Sequence, residues 1–253
     1  MTPAEAYEHL LVPALFQPWA EAVLPLVAPA PGGTVLDIAC GTGCLTRLMA
    51  DRVAPTGQVH GLDCSGDKLA VARRLAPECE WHLGIAETLP FPDASFDRVT
   101  CQFGLMFFED PERALREMRR VCRGSITLTC WNRLEYSGAF ADLDRVYLRH
   151  LGPDLEDMLR APYRFGDPDA LLAVMDRAGL PGAILRTLAL PARYPSVTAL
   201  LDADRLGWMA ACGLQVPDPD SLQREAETLL VPYLRPEGLV FPTSAHVVGW
   251  RQP

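Results

Sequence analysis

Residues 34–43 read TVLDIACGTG, and the rest of the chain can be placed relative to this stretch. Its first letters predict a short buried strand, and small residues follow that strand as far as Gly43. Beyond the glycines, apolar residues recur at helical spacing, namely Leu45, Leu48 and Met49. A strand, a glycine turn and a helix open an α/β sheet, whose ligands bind beyond the carboxyl ends of the strands.

The residues of this turn limit what it can hold. Gly41 and Gly43 tolerate positive φ and have no side chain to block a close ligand. Thr46 replaces the third glycine of a dinucleotide fingerprint, and the Gly-Lys-Ser/Thr ending of a phosphate-binding loop is absent. Asp37, near the end of the strand, would repel phosphate and suits a cation. The turn therefore favours a ligand with a ribose, an ammonium and a sulfonium over a diphosphate.

A second acid strengthens this interpretation. The stretch Gln58–Leu62 predicts a second strand, and Asp63 ends it about twenty residues beyond Gly43. A carboxylate at this strand end is placed to accept two hydrogen bonds from a ribose diol. The pair Asp37 and Asp63 discriminates between ligands better than either glycine does.

The segments VLDIACGTG, GLDCS and GIAETLPFPDASFD together resemble the class I S-adenosylmethionine-dependent methyltransferases, in particular the ubiquinone/menaquinone-biosynthesis branch. The resemblance covers roughly residues 30–135. It implies a Rossmann-like α/β fold: a seven-stranded, mostly parallel sheet with an antiparallel last strand. It also implies an N-terminal helical lid and a helical cap inserted between the last two strands. The implied cofactor is S-adenosyl-L-methionine, with S-adenosyl-L-homocysteine as its product.

The resemblance assigns cofactor contacts to the glycine turn, the end of the second strand and the loops after the third and fourth strands. These residues are Asp37, Ala39, Cys40, Gly41, Gly43, Asp63, Cys64, Ile85, Ala86, Glu87, Gln102 and Phe103. Ile85 departs from the family, where an Asp usually accepts a hydrogen bond from the adenine amino group. Without this hydrogen bond the cofactor would bind about 0.5–1.5 kcal/mol more weakly, and Glu87 is the candidate to replace the missing acceptor. Cys64 and Ile85 would still enclose the adenine ring.

The remainder of the chain is divided by its turns and by the family analogy. We expect a lid at 1–30, a cofactor-binding core at 31–135, the rest of the core with substrate-side helices at 136–190, a helical cap at 191–238 and the last strand at 239–253. An insertion as long as the cap is usually functional. Its apolar residues suggest an aromatic or lipophilic substrate, with contacts from Tyr7, Phe16, Met106, Trp131, Tyr147 and Trp208.

The expected reaction is an in-line displacement, in which the protein aligns the nucleophile with the methyl group and excludes water. A general base is required only if the nucleophile loses a proton as it attacks. The candidates are His9, His150, His246 and Tyr7, and none lies in a recognisable motif. No catalytic base is assigned from the sequence.

Composition limits the partners. The net charge of −9 and the pI of about 5.0 argue against a nucleic-acid backbone and against an anionic membrane surface. Eight cysteines are scattered without a C-x-x-C pair or a spaced histidine, which favours reduced thiols in the cytoplasm and no bound metal. The apolar N-terminus is interrupted by prolines and Glu21, so we expect neither a signal peptide nor a membrane span.

The leading hypothesis is an enzyme of small-molecule or secondary metabolism that methylates O, N or C of an aromatic or lipophilic compound. One alternative keeps the cofactor but not the methyl transfer, as in a cyclase that uses the sulfonium charge. A less favoured alternative is an RNA or protein methyltransferase. A homodimer built from the cap or the N-terminal helices is possible.

Overall fold

The computed structural model describes residues 1–252, and one sheet runs through them. Its strands are β1 (Thr34–Ile38), β2 (Gln58–Asp63), β3 (Glu80–Leu83), β4 (Phe96–Gln102), β5 (Cys122–Trp131), β6 (Ile184–Tyr194), β7 (Leu234–Arg235) and β8 (Gly238–Arg251). The long strands lie in the order β3-β2-β1-β4-β5-β8-β6, and the two-residue β7 pairs only with β8. The five strands from β3 to β5 are parallel, and β8 is antiparallel to both β5 and β6. The expected fold class is confirmed, with β7 as a short addition to the seven expected strands.

Helices cover both faces of this sheet. They are α1 (Pro3–Val27), α2 (Cys44–Val53), α3 (Gly66–Leu75), α4 (Pro111–Val121), α5 (Ala139–Leu151), α6 (Glu156–Arg160), α7 (Pro168–Arg177), α8 (Val197–Asp202) and α9 (Pro219–Leu229). Several begin at side chains that accept a backbone N–H. Ser65 caps α3, and Asp110 with Pro111 starts α4.

The hydrophobic core has two layers, one on each face of the sheet. On one face, α1 and α2 pack their apolar sides on β1 and β2, with Val23, Met49 and Val59 among the buried residues. On the other face, the buried stripe of α4 meets β4 and β5, and this layer continues into the cap. Both faces of the central strands are therefore buried from solvent, as expected for parallel strands between helices.

The N-terminal lid is one helix. It is α-helical at Pro3–Ala6 and Gln17–Val27 and π-helical at Tyr7–Phe16, where Pro13 lies inside the helix. The wider π-helical turns hold this proline without a sharp break, so the expected helical lid is one continuous helix. The helix is long and apolar enough to cross a membrane, yet half of its most apolar window is buried inside the protein.

The cap lies between β6 and β8. Helix α8 continues into a π-helical segment at Ala203–Met209, and α9 follows. A Cβ added at Gly207 would lie 2.8 Å from Leu11 and 3.2 Å from the backbone of Tyr7. The cap and the lid are therefore in direct contact, and the small size of Gly207 permits the approach.

Candidate cofactor site

The loops after β1 and β4 meet at the carboxyl edge of the sheet. Ala39 has φ 54° and Phe103 has φ 56°, left-handed values that residues with a side chain rarely adopt. A Cβ added at Gly104 would lie 2.5 Å from the Cβ of Ala39, so the two loops touch. Backbone strain of this kind is typical of ligand sites, where surrounding structure holds it in place.

Asp37 is buried at the end of β1, with 2% of its surface exposed. The Thr46 hydroxyl donates to one carboxylate oxygen at 2.6 Å, and the Thr100 hydroxyl donates to the other at 2.8 Å. Burial raises the pKa of Asp37 to about 6, although the two hydroxyl donors favour the ionised form. A cation placed beside this carboxyl group would favour the anion further. Thr46, which replaces a fingerprint glycine, therefore has a role that the sequence did not reveal.

Asp63 fastens the glycine turn to the end of β2. Its carboxylate accepts the N–H of Gly41 at 2.8 Å through one oxygen and the N–H of Ser65 at 2.8 Å through the other. Each oxygen keeps a second lone pair for a ligand hydroxyl. The two predicted acids thus lie on neighbouring parallel strands, and Gly41 has the left-handed φ of 59° that the turn requires.

Trp81 of β3 explains why two glycines of this region must lack a side chain. A Cβ added at Gly43 would lie 2.4 Å from the indole ring, and one added at Gly61 would lie 2.5 Å from it. The indole N–H donates to the carbonyl of Ala76 at 2.9 Å, which fixes the ring. Trp81 therefore packs beneath the turn and supports it, a role that sequence analysis missed.

The lid covers the crevice. The Tyr7 and Phe16 rings stack at 5.2 Å, and a Cβ at Gly41 would lie 3.4 Å from the Tyr7 hydroxyl. The Gln102 amide donates to the carbonyl of Phe16 at 3.2 Å, and the Lys68 ammonium lies 4.4 Å from the centre of the Tyr7 ring. A cavity of only about 10 Å³ remains beneath, and its lining includes Tyr7, Phe16, Asp37, Ala39, Cys40, Cys44 and Gln102.

The loop after β3 is less enclosed. Ile85 and Cys64 are exposed, and Ala86 is buried. One Glu87 oxygen accepts the backbone N–H of Glu109 at 3.0 Å, so this carboxylate ties the loop to the start of α4. Its other oxygen keeps its acceptor capacity for an adenine amino group.

The donors of the crevice fit a cationic nucleoside. Within residues 1–252, Oε1 of Gln102 is buried without a hydrogen-bond partner, and Gln102 lines the same cavity as Asp37. A buried acceptor without a partner costs about 1–3 kcal/mol, which an ammonium group would recover. Asp37 and Asp63 disfavour a diphosphate. The residues present therefore fit S-adenosylmethionine in charge and hydrogen bonding, whereas the space for it is taken by the lid.

Aromatic side chains cluster around Phe103. The Phe103 and Trp131 rings stack at 3.7 Å, and Trp19 meets Phe103 edge-on at 5.7 Å. Met106 is buried beside them in the same core layer, and Trp208 is half-buried. Of the predicted substrate residues, Trp131 therefore belongs to an aromatic cluster around Phe103, and the Phe16 ring joins it at 6.0 Å from Phe103.

Tyr147 leads to a buried acid that the sequence did not single out. Its hydroxyl donates to Asp204 at 2.6 Å, and burial raises the pKa of Asp204 to about 7. The hydroxyl of Tyr194 is buried without a partner within residues 1–252, and the Asp204 charge adds to burial in raising the pKa of Tyr194. The one available signal was the second of two aspartates in the mostly apolar run ALLDADRLGWM.

The histidine candidates have hydrogen-bond partners or exposure of their own. His9 is exposed, and His150 pairs with Glu225 at 2.9 Å. His246 is buried, with Nε2 2.9 Å from the carbonyl of Gly166 and Nδ1 2.9 Å from the Thr187 hydroxyl. Because a carbonyl only accepts, Nε2 donates to it and Nδ1 accepts from Thr187. This geometry leaves no free lone pair and counts against His246 as a base.

A larger open groove of about 510 Å³ lies elsewhere, lined by residues near the ends of β6 and β7 such as Ser196, Glu227 and Arg235. It shares no residue with the crevice. Its walls include apolar residues such as Val197 and Leu234 as well as polar ones, and they hold none of the strained backbone, orphaned acceptors or perturbed acids described above. We therefore regard the strand tips, rather than this wider groove, as the candidate cofactor site.

Comparison with known proteins places this geometry in a family. Residues 35–125 match the family described as "Methyltransferase domain". The demethylmenaquinone methyltransferase of Listeria welshimeri is 40% identical over 117 residues, 44% of this chain and 50% of that enzyme, so the chain spans about half the length of that relative. The demethylmenaquinone methyltransferase of Bacillus licheniformis is 30% identical over 208 residues, 75% of this chain and 84% of that enzyme.

A solved SAM-dependent methyltransferase of Aquifex aeolicus superposes with a TM-score of 0.53 at 18% identity, over 74% of this chain and 92% of that one. At that identity the likeness supports the fold alone. The Bacillus relative extends the sequence similarity well beyond the cofactor-binding core. The acid pair, the glycine turn and these similarities lead to one conclusion: the chain belongs to the class I S-adenosylmethionine-dependent methyltransferases.

Proposed function

We propose that the chain transfers a methyl group from S-adenosylmethionine to a small aromatic or lipophilic acceptor of the quinol type. The observation that carries this proposal is the acid pair at neighbouring strand tips beside an aromatic cluster. The relatives' names point to naphthoquinone-like acceptors, and the buried aromatic cluster of Phe103, Trp131 and Trp19 suits a flat ring. Several rings in one dry layer favour such a compound over a hydrophilic metabolite.

Each side of the cofactor has a candidate partner. Asp63 would hold the ribose diol, while Asp37 and Oε1 of Gln102 would accept from the ammonium group. Cys64 and Ile85 would enclose the adenine. When bound, S-adenosylmethionine supplies a methyl group already activated by its sulfonium charge. The protein's own task is therefore to align the acceptor and exclude water.

The lid must move before a ligand of this size can enter. Its closed position is held by Arg47 against Glu8 at 2.9 Å and by the hydrogen bond from Gln102 to the lid backbone. A cavity of about 10 Å³ holds roughly one water, whereas ligand pockets measure roughly 300–1,000 Å³. We infer that α1 swings outward to admit the cofactor and closes again to exclude water.

Asp204 is the proposed proton acceptor for a hydroxyl nucleophile. Its carboxyl group is buried, its pKa is near 7, and it belongs to the π-helical segment that packs on the lid. The orphaned hydroxyl of Tyr194 lies in the same cluster and is available for a polar atom of the acceptor. A group with a pKa near the working pH is suited to general-base catalysis.

The proposed partners and cellular compartment are argued from the net charge and the cysteines. The net charge of −9 disfavours nucleic acid and anionic membrane as partners, and eight free cysteines are consistent with a reducing cytoplasm. A homodimer stays a proposal, to be tested by sedimentation of the purified chain.

The direct test is mass spectrometry of a reduced, demethylated prenyl-naphthoquinone incubated with the protein and S-adenosylmethionine. We expect the acceptor to gain one methyl group and S-adenosylhomocysteine to form in equal amount. A simple phenol without the second ring serves as the control acceptor. Consumption of the acceptor without a gain of methyl would instead support the cyclase-like alternative. Failure of calorimetry to detect cofactor binding at submillimolar ligand would remove the proposal.

A further inference from the structure

Two histidines and a glutamate converge on the outer strands of the sheet, away from the lid and the cap. Nδ1 of His60 lies 3.1 Å from Nε2 of His82 and 3.4 Å from Oε2 of Glu80. Nε2 of His82 lies 3.9 Å from the same glutamate oxygen. Three groups of the types that bind transition metals therefore meet with their donor atoms facing one another.

The parallel register of β2 and β3 brings these residues together. His60 is opposite Glu80, and Leu62 is opposite His82. Because side chains alternate along a strand, His60, Glu80 and His82 project from the same face of the sheet. The rings are held from the side by Phe91, which meets His82 edge-on at 4.9 Å and His60 at 5.9 Å.

The spacing of the three atoms is that of metal ligands. A point equidistant from atoms separated by 3.1, 3.4 and 3.9 Å lies about 2.0 Å from each. Zinc binds imidazole nitrogen at about 2.0–2.1 Å and carboxylate oxygen at about 2.0–2.2 Å. We propose that His60, Glu80 and His82 form a zinc site at the edge of the sheet.

The surroundings favour an ion over a simple hydrogen bond between rings. Each imidazole turns one ring nitrogen toward the other two groups, so each can offer a lone pair to an ion. Glu80 supplies a negative charge, and about half of its side chain is exposed, which gives an ion a route in. Two nitrogens and one oxygen with an open fourth position suit Zn²⁺ and not Mg²⁺ or Ca²⁺, which prefer oxygen ligands.

Zinc bound here would stabilise the edge strand β3. Strand β3 has four residues and pairs only with β2, so few hydrogen bonds hold it. An ion bound by His60 on β2 and by Glu80 and His82 on β3 links the two strands. Trp81, which supports the glycine turn, lies between the two β3 ligands. The zinc site would therefore stabilise the strand that supports the cofactor turn.

The test uses the full chain, freed of metal with a chelator and titrated with zinc chloride alone in a calorimeter. We expect one zinc per chain, and we expect H60Q and H82Q each to weaken its affinity at least tenfold. H150Q is the matched control, because it removes a histidine that pairs with Glu225 alone and should leave zinc affinity unchanged. E80Q is a second, exposed variant that keeps the fold and should also weaken binding.

A second readout is independent of the titration. Cobalt(II) in place of zinc should give the intense visible absorption of a four-coordinate site, and this absorption should be absent in H82Q. Zinc at a hundred times its dissociation constant should raise the Tm of the wild-type chain by about 5–10 °C, and the same zinc concentration should raise that of H82Q by about half as much or less. Equal zinc affinity in H82Q and wild type would overturn the proposal, and so would no binding to the wild-type chain.

Discussion

Two buried carboxyl groups, Asp37 in the cofactor crevice and Asp204 in the cap, have similar burial and different surroundings. Asp37 accepts from two threonine hydroxyls and has a pKa near 6, whereas Asp204 accepts from one tyrosine hydroxyl and has a pKa near 7. Each added donor favours the ionised form. The difference indicates that Asp37 is prepared to face a cation and Asp204 to take up a proton.

The largest expected effect is on turnover, when Asp204 is replaced. In D204N the turnover number should fall roughly 10²–10⁴-fold, because the amide cannot accept the acceptor's proton. The affinity for S-adenosylmethionine should stay within about twofold of wild type, as measured by calorimetry. D202N is the matched control, since Asp202 pairs with Arg205 on the same segment and its loss should leave turnover near wild type. Equal turnover in D204N and wild type would rule out Asp204 as the proton acceptor.

The raised pKa of Asp204 should also make the free energy of unfolding of the substrate-free protein depend on pH. Below about pH 4 the Asp204 carboxyl group is protonated in the folded and the unfolded chain. Between about pH 4 and 7 only the unfolded chain loses the proton, so the free energy of unfolding falls as the pH rises, and above about pH 7 the deficit is constant.

The raised pKa of Asp204 sets an upper bound of about 4 kcal/mol on this deficit. Urea unfolding at pH 4 and pH 8 measures it. The fall in stability between the two values should be smaller in D204N than in wild type by about this deficit, while the share that comes from Asp37, whose pKa is also raised, remains. Parallel pH profiles for the two chains would mean that Asp204 titrates near its ordinary value.

Loss of Asp63 should have the largest effect on cofactor affinity. D63A removes the acceptor proposed for the ribose diol, so we expect roughly 100-fold weaker binding, from charged hydrogen bonds worth about 1.5–3 kcal/mol each. The free protein should also lose stability, because the N–H of Gly41 loses its partner. D218A is the control, since Asp218 likewise accepts a backbone N–H, at the start of α9. An unchanged affinity in D63A would show the ribose assignment to be wrong.

The smallest effect concerns the protonation of Asp37. The bound sulfonium and ammonium favour the carboxylate, so cofactor binding below pH 6 must release a proton. Affinity should therefore be about tenfold weaker at pH 5 than at pH 7 and level above that. D37N should bind weakly at both values and show no pH dependence. If the wild-type affinity is the same at pH 5 and pH 7, the bound cofactor does not put a positive charge beside Asp37.

Much of the core was predictable because its signals are local. The glycine turn, the acids that end β1 and β2, and the Asp110-Pro111 start of α4 each depend on a few consecutive residues. The mostly parallel sheet with an antiparallel last strand followed from the resemblance of the motifs to a family. These features are set by backbone conformation and by neighbours within a turn or two of the chain.

Contacts between distant segments could not be predicted from the sequence. Thr100 beside Asp37, Tyr147 beside Asp204 and the lid across Gly41 join residues 34 to 63 positions apart. No local pattern distinguishes such side chains, since each is an ordinary polar or aromatic residue until the fold supplies its neighbour. The same reason hid His60, Glu80 and His82, because only the register of β2 against β3 makes one cluster of them.

The sequence by itself determined the sheet, the glycine bend and the two acids at adjoining strand ends, because local backbone preferences and hydrophobic periodicity specify them. Only the tertiary structure decided which hydroxyls surround Asp37, how the lid fills the crevice and that Asp204 is buried beside Tyr147. These depend on the packing of distant segments, which changes the solvation and the hydrogen-bond partners of a carboxyl group. Solvation and partners in turn set its pKa and its chemistry.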